Sequence, residues 1–334
     1  MTLLNLTEIE IAQELIGGSV LKVLPVNGGG NNRVYKVETV SETLLLKFYP
    51  VQAEDKRDRI GHEYDALEFM NNNGIKQIPK PLVINREHNC ALYEWINGRR
   101  IDNATNEHVE SLATFLLDLQ NLREADGASE LRNGAQDCLS IKKTCENLSL
   151  RISRLMEVVD DAPEMKLFLF GKLVPFADLK INEILEVCER EGLSYNNELT
   201  GLKRAINPSD FGFHNALLTP MNEIVFLDFE YFGWDDPVKM ISDGMWHPGM
   251  QLSQNHMELL KKKLLGIFEQ NDPFFQLRFS LLYPLFGLIW CTILLNEFLP
   301  ERWARRTAAG HLDREERRKI QLDKAHNQYK RLKL

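Results

Sequence analysis

The chain has 334 residues, of which 44% are hydrophobic and 26% are charged, so it is long enough for two lobes and has the composition of a globular protein. Its formal net charge of -8 argues against binding to DNA or RNA, because a polyanion requires an excess of Lys and Arg on one face. We therefore expect no nucleic-acid partner.

Residues 1–97 are predicted to form a small, β-rich N-lobe. The runs 34–37 and 43–49 have strand composition and flank a polar turn, which predicts a β-hairpin. A helix is predicted next, in RDRIGHEYDALEFMNNNG, because its apolar residues recur at helical spacing and Gly74 supplies a stop.

The pattern changes after one further strand, predicted over residues 90–96. That strand ends at Asn97-Gly98, our candidate hinge. Residues 98–334 are predicted to form a mostly helical C-lobe, because HVESLATFLLDLQNL, IKKTCENLSLRISRLMEVV and DLKINEILEVCERE carry helical periodicity. Two short strands interrupt this lobe. The tail from residue 313 mixes both signs of charge and is predicted to be a solvated terminal helix, with a binding role as the alternative.

Residues 279–295, FSLLYPLFGLIWCTILL, form a segment without charge. It spans 17 residues, which is the lower limit for crossing a bilayer, and it contains Pro284. We expect a buried core helix and no membrane partner; the alternative is a membrane anchor.

The cysteines and the first residues indicate a reducing compartment. The five cysteines form no C-x-x-C pair and have no histidine at zinc-finger spacing, so we expect buried thiols. The start, MTLLNLTEIEIAQELIGG, has acidic residues where a secretory signal needs positive charge. We therefore expect a cytoplasmic protein. The sequence does not indicate an oligomeric state.

The strings D-F-G and D-F-E begin at Asp210 and Asp228. A phosphoryl-transfer site needs a carboxylate that orients or deprotonates the attacking hydroxyl, and two oxygen ligands for Mg²⁺. Kinase catalytic loops supply the base and one ligand as D-x-x-x-x-N, and only Asp210, with Asn215 five residues later, fits that spacing. We therefore predict that Asp210 is the base and that Asn215 and Asp228 hold the metal. The alternative is that these are ordinary loop carboxylates.

The segment ALLTPMNEIVFL separates Asn215 from Asp228. It is predicted to form two short strands with a turn at residues 220–222. Such a hairpin would bring Asn215 and Asp228 side by side, where one cation can bridge them.

A glycine-rich stretch, VNGGGNNRVYKV, precedes the predicted hairpin of the N-lobe. Without Cβ atoms, Gly28, Gly29 and Gly30 allow backbone N–H groups to approach phosphates closely, and Asn31 extends the loop. This is not a Walker A loop, since no G-x-x-x-x-G-K occurs. An ordinary hairpin turn is the alternative.

Lys47 lies within the apolar strand TLLLKFY. A buried ammonium needs a partner or a phosphate, because burying it unpaired is costly. Glu63 lies near the apolar face of the predicted helix, so we predict an ion pair that aims Lys47 at the α- and β-phosphates. The alternative is that Lys47 extends to water at the strand end.

In this order, the glycine loop, strand lysine, helix glutamate, hinge, D-x-x-x-x-N and D-F-E resemble the aminoglycoside phosphotransferase and choline kinase-like family. The resemblance covers residues 18–300 and is most specific in DFGFHNALLTPMNEIVFLDFEYFGWDDP. It implies an α+β, bilobal protein-kinase-like fold with a small β-rich N-lobe and a larger, mostly helical C-lobe. It also implies transfer of the γ-phosphate of ATP, or of GTP, through Mg²⁺ to a hydroxyl of a small molecule.

The resemblance implies roles for individual residues. Asp210 is the base, Asn215 and Asp228 bind Mg²⁺, and Lys47, oriented by Glu63, contacts phosphate. Asp236 is expected to support the metal loop. Backbone groups of the hinge strand are expected to hold the adenine: Tyr93, Glu94, Trp95 and Ile96. Three apolar neighbours are candidates to cover its ring, with core packing as the alternative: Val34, Leu45 and Leu227.

The sequence departs from this family at the catalytic loop. The family usually has H-G-D, whereas this chain has Pro208-Ser209-Asp210. The alternative function is therefore a weak or inactive nucleotide-binding pseudokinase or scaffold, although His214 offers a partial replacement. No A-P-E follows Asp228, so a small-molecule acceptor is expected rather than a protein. Three residues are candidates to line its pocket, with core packing as the alternative: Trp234, Trp246 and His247.

Overall fold

A computed structural model describes the protein over residues 7–26, 32–50, 58–308 and 313–333. The chain divides into two compact units. The first comprises the residues up to 136 together with 206–234, and the second comprises 137–205 and the residues from 235 onwards. The boundary at residue 97 between the N-lobe and the C-lobe stays a prediction.

An antiparallel sheet dominates the start of the first unit. Its five described strands are β1 (Val20–Pro25), β2 (Arg33–Thr39), β3 (Thr43–Phe48), β4 (Pro81–Asn85) and β5 (Cys90–Glu94). Their order in the sheet is β1-β2-β3-β5-β4, so β3 is central. The predicted hairpin is confirmed as β2 and β3, and Val34 pairs with Lys47 in its register.

The two faces of this sheet do different things, because successive side chains of a strand point to opposite faces. On one face, Leu44, Leu46 and Phe48 of β3 form an apolar core with α1 (Glu8–Ile16). The opposite face of β3 carries Lys47, and Tyr93 of β5 shares that face because it pairs with Leu45. Helix α1 therefore covers one side of the sheet and the candidate site lies on the other.

Helix α2 (Arg59–Asn72) follows the sheet hairpin. It begins at Asp58, whose carboxylate accepts a hydrogen bond from the backbone N–H of Gly61 and so caps the helix. It ends before Gly74, which has φ of 84° and provides the predicted stop. The buried side of α2 contains Glu63 among apolar residues, as its spacing predicts.

The rest of the first unit positions the polar loops. The predicted hairpin after Asn215 is confirmed as β8 (Ala216–Leu218) and β9 (Ile224–Phe226), which pair antiparallel. The short strand β6 (Arg99–Arg100) adds to β8. Helix α3 (Asn106–Asn121) also belongs to this unit, and β7 (Ala205–Asn207) pairs with β10 (Gly233–Asp235).

The second unit is mostly helical, as predicted. Its described helices are α4 (Ile141–Met156), α5 (Pro163–Phe168), α6 (Val174–Glu191), α7 (Pro237–Trp246), α8 (Gln254–Glu269), α9 (Phe275–Leu294), α10 (Pro300–Ala308) and α11 (Arg314–Arg331). Helix α9 lies at its centre and packs against α4, α7 and α11.

Helix α9 contains the charge-free segment. With the turn that follows, Phe275–Phe298 is the only helix of the described residues that is long and apolar enough to cross a membrane. However, 67% of the most apolar 18-residue stretch of this helix is buried inside the protein. Neighbouring helices provide that cover, which confirms the prediction of a core helix. All five cysteines are likewise buried, and none of the five, each within the described residues, forms a disulfide.

The prediction of a solvated terminal helix is wrong. Helix α11 packs against α9, and it buries Leu322, Ala325 and Tyr329. These residues recur at helical spacing and form one apolar stripe. The abundant charges of the tail conceal this stripe in the sequence.

Asp236 has a structural role in the second unit, and its expected support of the metal loop stays a prediction. Its carboxylate accepts hydrogen bonds from the backbone N–H of Val238, at 2.7 Å, and from Arg278 of α9, at 2.6 Å. It therefore caps α7 and ties that helix to α9, because a buried carboxylate requires such donors.

Candidate active site

The centre of the site is the ammonium of Lys47. Its Nζ lies 2.6 Å from Oε2 of Glu63 and 2.8 Å from Oδ1 of Asp228. The predicted ion pair with Glu63 is thus present, and Asp228 is a second partner. The two carboxylates differ in exposure, since the side chain of Glu63 is 5% exposed and that of Asp228 is 36% exposed. Glu63 is an internal anchor, whereas Asp228 faces solvent.

The protonation of this cluster follows from burial and charge. Burial of the ammonium opposes its charge, but the carboxylates of Asp228 and Glu63 outweigh that effect and raise the pKa of Lys47 above its usual value. Burial also raises the pKa of Glu63, although Lys47 lowers it. Lys47 therefore stays charged at neutral pH.

A chain of two phenols holds Glu63 from the other side. The hydroxyl of Tyr49 donates to Oε2 of Glu63 at 2.8 Å, and it lies 2.7 Å from the hydroxyl of Tyr93. A phenol has one proton, so Tyr49 must accept its second hydrogen bond from Tyr93. Burial, and then the charge of Glu63, raise the pKa of Tyr49 well above its ordinary value.

Tyr49 was missed in the sequence analysis. The available signal was strand alternation, because Tyr49 lies two residues beyond Lys47 and therefore points to the same face. Tyr93 was predicted for its backbone, but its side chain also belongs to this network.

The hairpin of β8 and β9 brings Asn215 next to Asp228. The backbone N–H of Leu227 donates to the carbonyl of Asn215 at 2.8 Å, which extends the pairing to the residue before Asp228. The side-chain Nδ2 of Asn215 donates to the carbonyl of Asp210 at 2.8 Å. Asp228 has φ of 68°, in the left-handed region that residues other than glycine seldom adopt.

The loop of Asp210 has an unusual backbone as well. Ser209 has φ of 65° and stands where the resembling family has glycine. Its N–H donates to Oδ1 of Asn207 at 2.8 Å, and its hydroxyl donates to the carbonyl of Tyr231 at 3.2 Å. These bonds hold the serine in a conformation that glycine adopts without strain.

Asp210 is held by a histidine. Oδ1 of Asp210 lies 3.2 Å from Nε2 of His214, and the Asp210 side chain is 45% exposed. This carboxylate is therefore oriented and also accessible from solvent. His214 is four residues from Asp210, so the short helical turn of residues 213–215 places them together.

A second buried ion pair was missed. Nη1 of Arg59 lies 3.2 Å from Oε1 of Glu230, and each side chain is 4% exposed. Arg59 is four residues before Glu63, so both side chains lie on one face of α2. Glu230 is the last letter of D-F-E. Helical spacing places Arg59 beside Glu63, but no local signal in the sequence identifies Glu230 as its partner.

The remaining nucleotide-site predictions fall in two groups. Gly28, Gly29, Gly30 and Asn31 lie outside the described residues. Tyr93 and Glu94 end β5, and Trp95 and Ile96 follow it and are half-buried. The backbone N–H of Glu94 donates to the carbonyl of Lys80 at 2.9 Å. The proposed ring-covering residues are half-buried: Val34, Leu45 and Leu227.

The predicted pocket tryptophans are core residues. Trp234, in the first unit, is buried and donates through its indole to the carbonyl of Ala128. Trp246, in the second unit, is buried and donates to the carbonyl of Tyr283. The area of each ring favours burial once its N–H has an acceptor. His247 is half-buried and packs edge-on against Trp290.

Solved structures share this architecture. Choline kinase LicA from Streptococcus pneumoniae is similar with a TM-score of 0.59 and 16% identity, over 96% of this chain and 98% of that chain. Spectinomycin phosphotransferase APH(9)-Ia, solved with ADP and spectinomycin, has a TM-score of 0.60 and 15% identity, over 97% of this chain and 92% of that chain. Plasmodium vivax ethanolamine kinase has a TM-score of 0.54 and 15% identity, over 98% of this chain and 86% of that chain. The predicted kinase-like fold is thereby confirmed.

A lysine paired with a helix glutamate and a loop aspartate, within this fold, defines a phosphotransferase of the kinase-like class. Residues 22–239, more than half of the chain, match the family model described as APH, phosphotransferase enzyme family. The chain belongs to the phosphotransferase enzyme family, and its enzyme class is a phosphotransferase with a hydroxyl acceptor. No curated protein matches it.

Proposed function

We propose that this phosphotransferase transfers the γ-phosphate of ATP, or of GTP, to a hydroxyl of a small molecule in the presence of Mg²⁺. One observation carries the proposal: Lys47 contacts Glu63 and Asp228 at once, and the residue before Asp228, Leu227, bonds through its backbone to Asn215. A cation and two oxygen donors are what phosphoryl transfer needs, since its catalysis is mainly positioning and charge neutralisation. Five buried cysteines that form no disulfide among the described residues support a cytoplasmic location.

Asp228 and Asn215 suit Mg²⁺ as donors. Both offer hard oxygen ligands, which this ion prefers. The amide nitrogen of Asn215 is already bonded to the carbonyl of Asp210, so the amide oxygen is the atom left for a ligand role. Asn215 and Asp228 would hold the ion, which would supply neutralisation of the charge that develops during transfer.

Lys47 is placed to bind phosphate without losing its anchor. Glu63 and Tyr49 hold the ammonium from the protein interior, whereas Asp228 is the solvent-facing partner. The ammonium can therefore contact α- and β-phosphates while it keeps Glu63. We propose that the glycine loop, Gly28 to Gly30 with Asn31, contributes backbone N–H groups there. Backbone groups of Tyr93, Glu94, Trp95 and Ile96 would hold the base.

Asp210 is proposed to act on the acceptor. Its carboxylate is accessible, and His214 orients one of its oxygens. As the acceptor oxygen bonds to the γ-phosphorus and the bond to the nucleoside diphosphate breaks, Asp210 takes the hydroxyl proton. The products are a phosphate monoester and ADP or GDP.

The acceptor is proposed to be small. No A-P-E sequence follows Asp228, so the chain lacks a mark of protein-substrate kinases. Similar structures are named for choline, ethanolamine and spectinomycin, which makes amino alcohols and aminoglycosides the first acceptors to test. Sugars and other hydroxylated metabolites are the next group.

The first test is thermal stability of the wild type and of Asp228→Ala with ATP or GTP, each with and without Mg²⁺. Nucleotide at a hundred times its Kd should add about 2.7 kcal/mol to the free energy of unfolding. We expect a magnesium-dependent rise in Tm that Asp228→Ala abolishes. No rise with either nucleotide in the wild type would refute the proposed site.

Release of ADP or GDP across a panel of hydroxyl compounds then separates an enzyme from a binding protein. A catalytically inactive pseudokinase would show the rise in Tm without turnover on any acceptor. The substitution of Pro208-Ser209 for the usual H-G is the feature that motivates this control.

A further inference from the structure

We propose that Arg59 and Glu230 form a positioning pair that holds Asp228 in the conformation needed to bind Mg²⁺. This inference rests on the proposed function, because it assigns a purpose to a contact beside the proposed metal ligand. Arg59 and Glu230 are positioning residues: the direct ligand role belongs to Asp228.

The pair is buried in a way that requires a reason. Nη1 of Arg59 lies 3.2 Å from Oε1 and 3.4 Å from Oε2 of Glu230, and both side chains are 4% exposed. Removing two charges from water is costly, and a buried ion pair is weak evidence of a stability gain. Orientation of the attached backbone is a role that an apolar pair would not reproduce, because a guanidinium holds a carboxylate in a fixed geometry.

The spacing on α2 connects this pair to the nucleotide site. Arg59 and Glu63 are four residues apart and both are buried on one face of the helix. Glu63 reaches Asp228 through Lys47, and Arg59 reaches Glu230 directly. Two ionic contacts therefore connect one turn of α2 to the tripeptide Asp228-Phe229-Glu230. One runs from Glu63 through Lys47 to Asp228, and the other is the direct pair of Arg59 and Glu230.

The backbone of that tripeptide depends on such restraint. Asp228 has φ of 68°, which a residue other than glycine keeps only when its surroundings hold it there. Phe229 is fully buried and packs against Phe115 and Phe232. With Phe229 and Glu230 both fixed, the carboxylate of Asp228 is aimed at one place before any ligand arrives.

The consequence is a defined magnesium phenotype. Removal of a partner that orients a metal-binding group typically lowers the affinity for the metal by about 10- to 100-fold. Loss of the Arg59 and Glu230 pair should therefore raise the Mg²⁺ requirement, while the contacts of Lys47 with the nucleotide phosphates remain.

The experiment is a Mg²⁺ titration of the nucleotide-induced rise in Tm, with ATP and GTP as probes. Glu230→Gln removes the charge and keeps the size of the side chain. We expect its half-maximal Mg²⁺ concentration to increase by about tenfold or more, with the small Mg²⁺-independent effect of nucleotide unchanged. Arg59→Lys keeps the charge but loses the two-oxygen contact, so it should show a smaller increase.

Arg132→Gln is the matched control. Arg132 pairs with Asp58, which caps α2, and with Asp65 within that helix, but its side chain is 47% exposed. Exposed ion pairs contribute little to the stability of a protein. The Mg²⁺ requirement of Arg132→Gln should therefore equal that of the wild type.

The outcomes are distinct. If the wild type gives no Mg²⁺-dependent rise in Tm, both the proposed function and this inference fail. If the wild type responds and Glu230→Gln has the wild-type Mg²⁺ requirement, the inference fails and the function stands. If Glu230→Gln does not fold, Arg59→Lys decides between the same two results.

Discussion

The hydroxyl of Tyr49 donates a hydrogen bond to Oε2 of Glu63, the same oxygen that the buried ammonium of Lys47 contacts. One carboxylate oxygen therefore receives a phenol and an ammonium. Each of these bonds fixes the geometry of the other, because Glu63 cannot turn without breaking both.

Tyr49→Phe should loosen this anchor. The change removes a hydrogen bond to a carboxylate and deprives the hydroxyl of Tyr93 of its acceptor, so the protein should lose about 2 kcal/mol of unfolding free energy. Thermal unfolding measures the loss, and kinetics should show weaker nucleotide binding. The control is Tyr35→Phe, which removes a hydrogen bond between Tyr35 of β2 and Glu8 of α1. Equal effects of both changes on nucleotide binding would contradict the role of Tyr49.

Asp210→Asn should separate chemistry from binding. The amide keeps the size and the position of the side chain but cannot accept the hydroxyl proton, so turnover should fall by about 10²- to 10⁴-fold. The nucleotide-induced rise in Tm should be largely kept, because Lys47 and Asp228 are unchanged. Turnover in a coupled assay and Tm, measured on the same preparation, give the answer; parallel loss of both would argue against a base.

Ser209 allows a direct test of backbone strain. Ser209→Ala and Ser209→Gly both remove the hydroxyl that donates to the carbonyl of Tyr231, so the difference between them isolates the backbone at φ of 65°. A left-handed backbone costs residues with a Cβ roughly 1–2 kcal/mol. We expect the glycine variant to be the more stable by about 1 kcal/mol in denaturant unfolding. If Ser209→Ala were as stable as Ser209→Gly or more stable, the backbone at residue 209 would not be strained.

His326 should make the stability of the helical unit depend on pH. Its ring packs 4.1 Å from that of Phe168, and burial, then the charge of Lys172, lower the pKa of His326 below 6.5. Since the folded pKa is depressed, its contribution to stability is present above the unfolded pKa and is lost as pH falls through the folded pKa. Other charges facing it are Asp323, Lys330 and Glu164.

The measurement for this histidine is Tm between pH 8 and pH 5. His326→Gln should show a smaller decrease than the wild type over that range, because glutamine does not titrate. His256→Gln, on another helix of the same unit, provides the comparison. A decrease in His326→Gln as large as that of the wild type would show that other groups cause it.

Much of the site was predictable because its chemistry depends on local spacing. Asp210 and Asn215 share one loop, and the segment between Asn215 and Asp228 has the strand and turn composition that its hairpin requires. Lys47 and Glu63 were predictable as a pair because burial of one charge demands the other.

The contacts that escaped prediction depend on tertiary neighbours. Arg59 and Glu230 are 171 residues apart, and nothing local to either residue specifies the other. The left-handed backbone of Ser209 and Asp228 likewise has no mark in the local sequence, because neither residue is a glycine. In α11 the surplus of charge concealed the apolar stripe, and in Trp234 and Trp246 a residue suited to ligand binding was equally suited to the core.

The position of α9 has a consequence for how the chain is made. This helix leaves the ribosome before α11, one of the neighbours that cover it. Until α11 emerges, a long uncharged surface has part of its cover missing, which is a condition under which nascent chains aggregate or recruit chaperones. A truncation that removes α11 should therefore reduce the yield of folded protein far more than its charged sequence suggests, although it leaves every proposed catalytic residue in place.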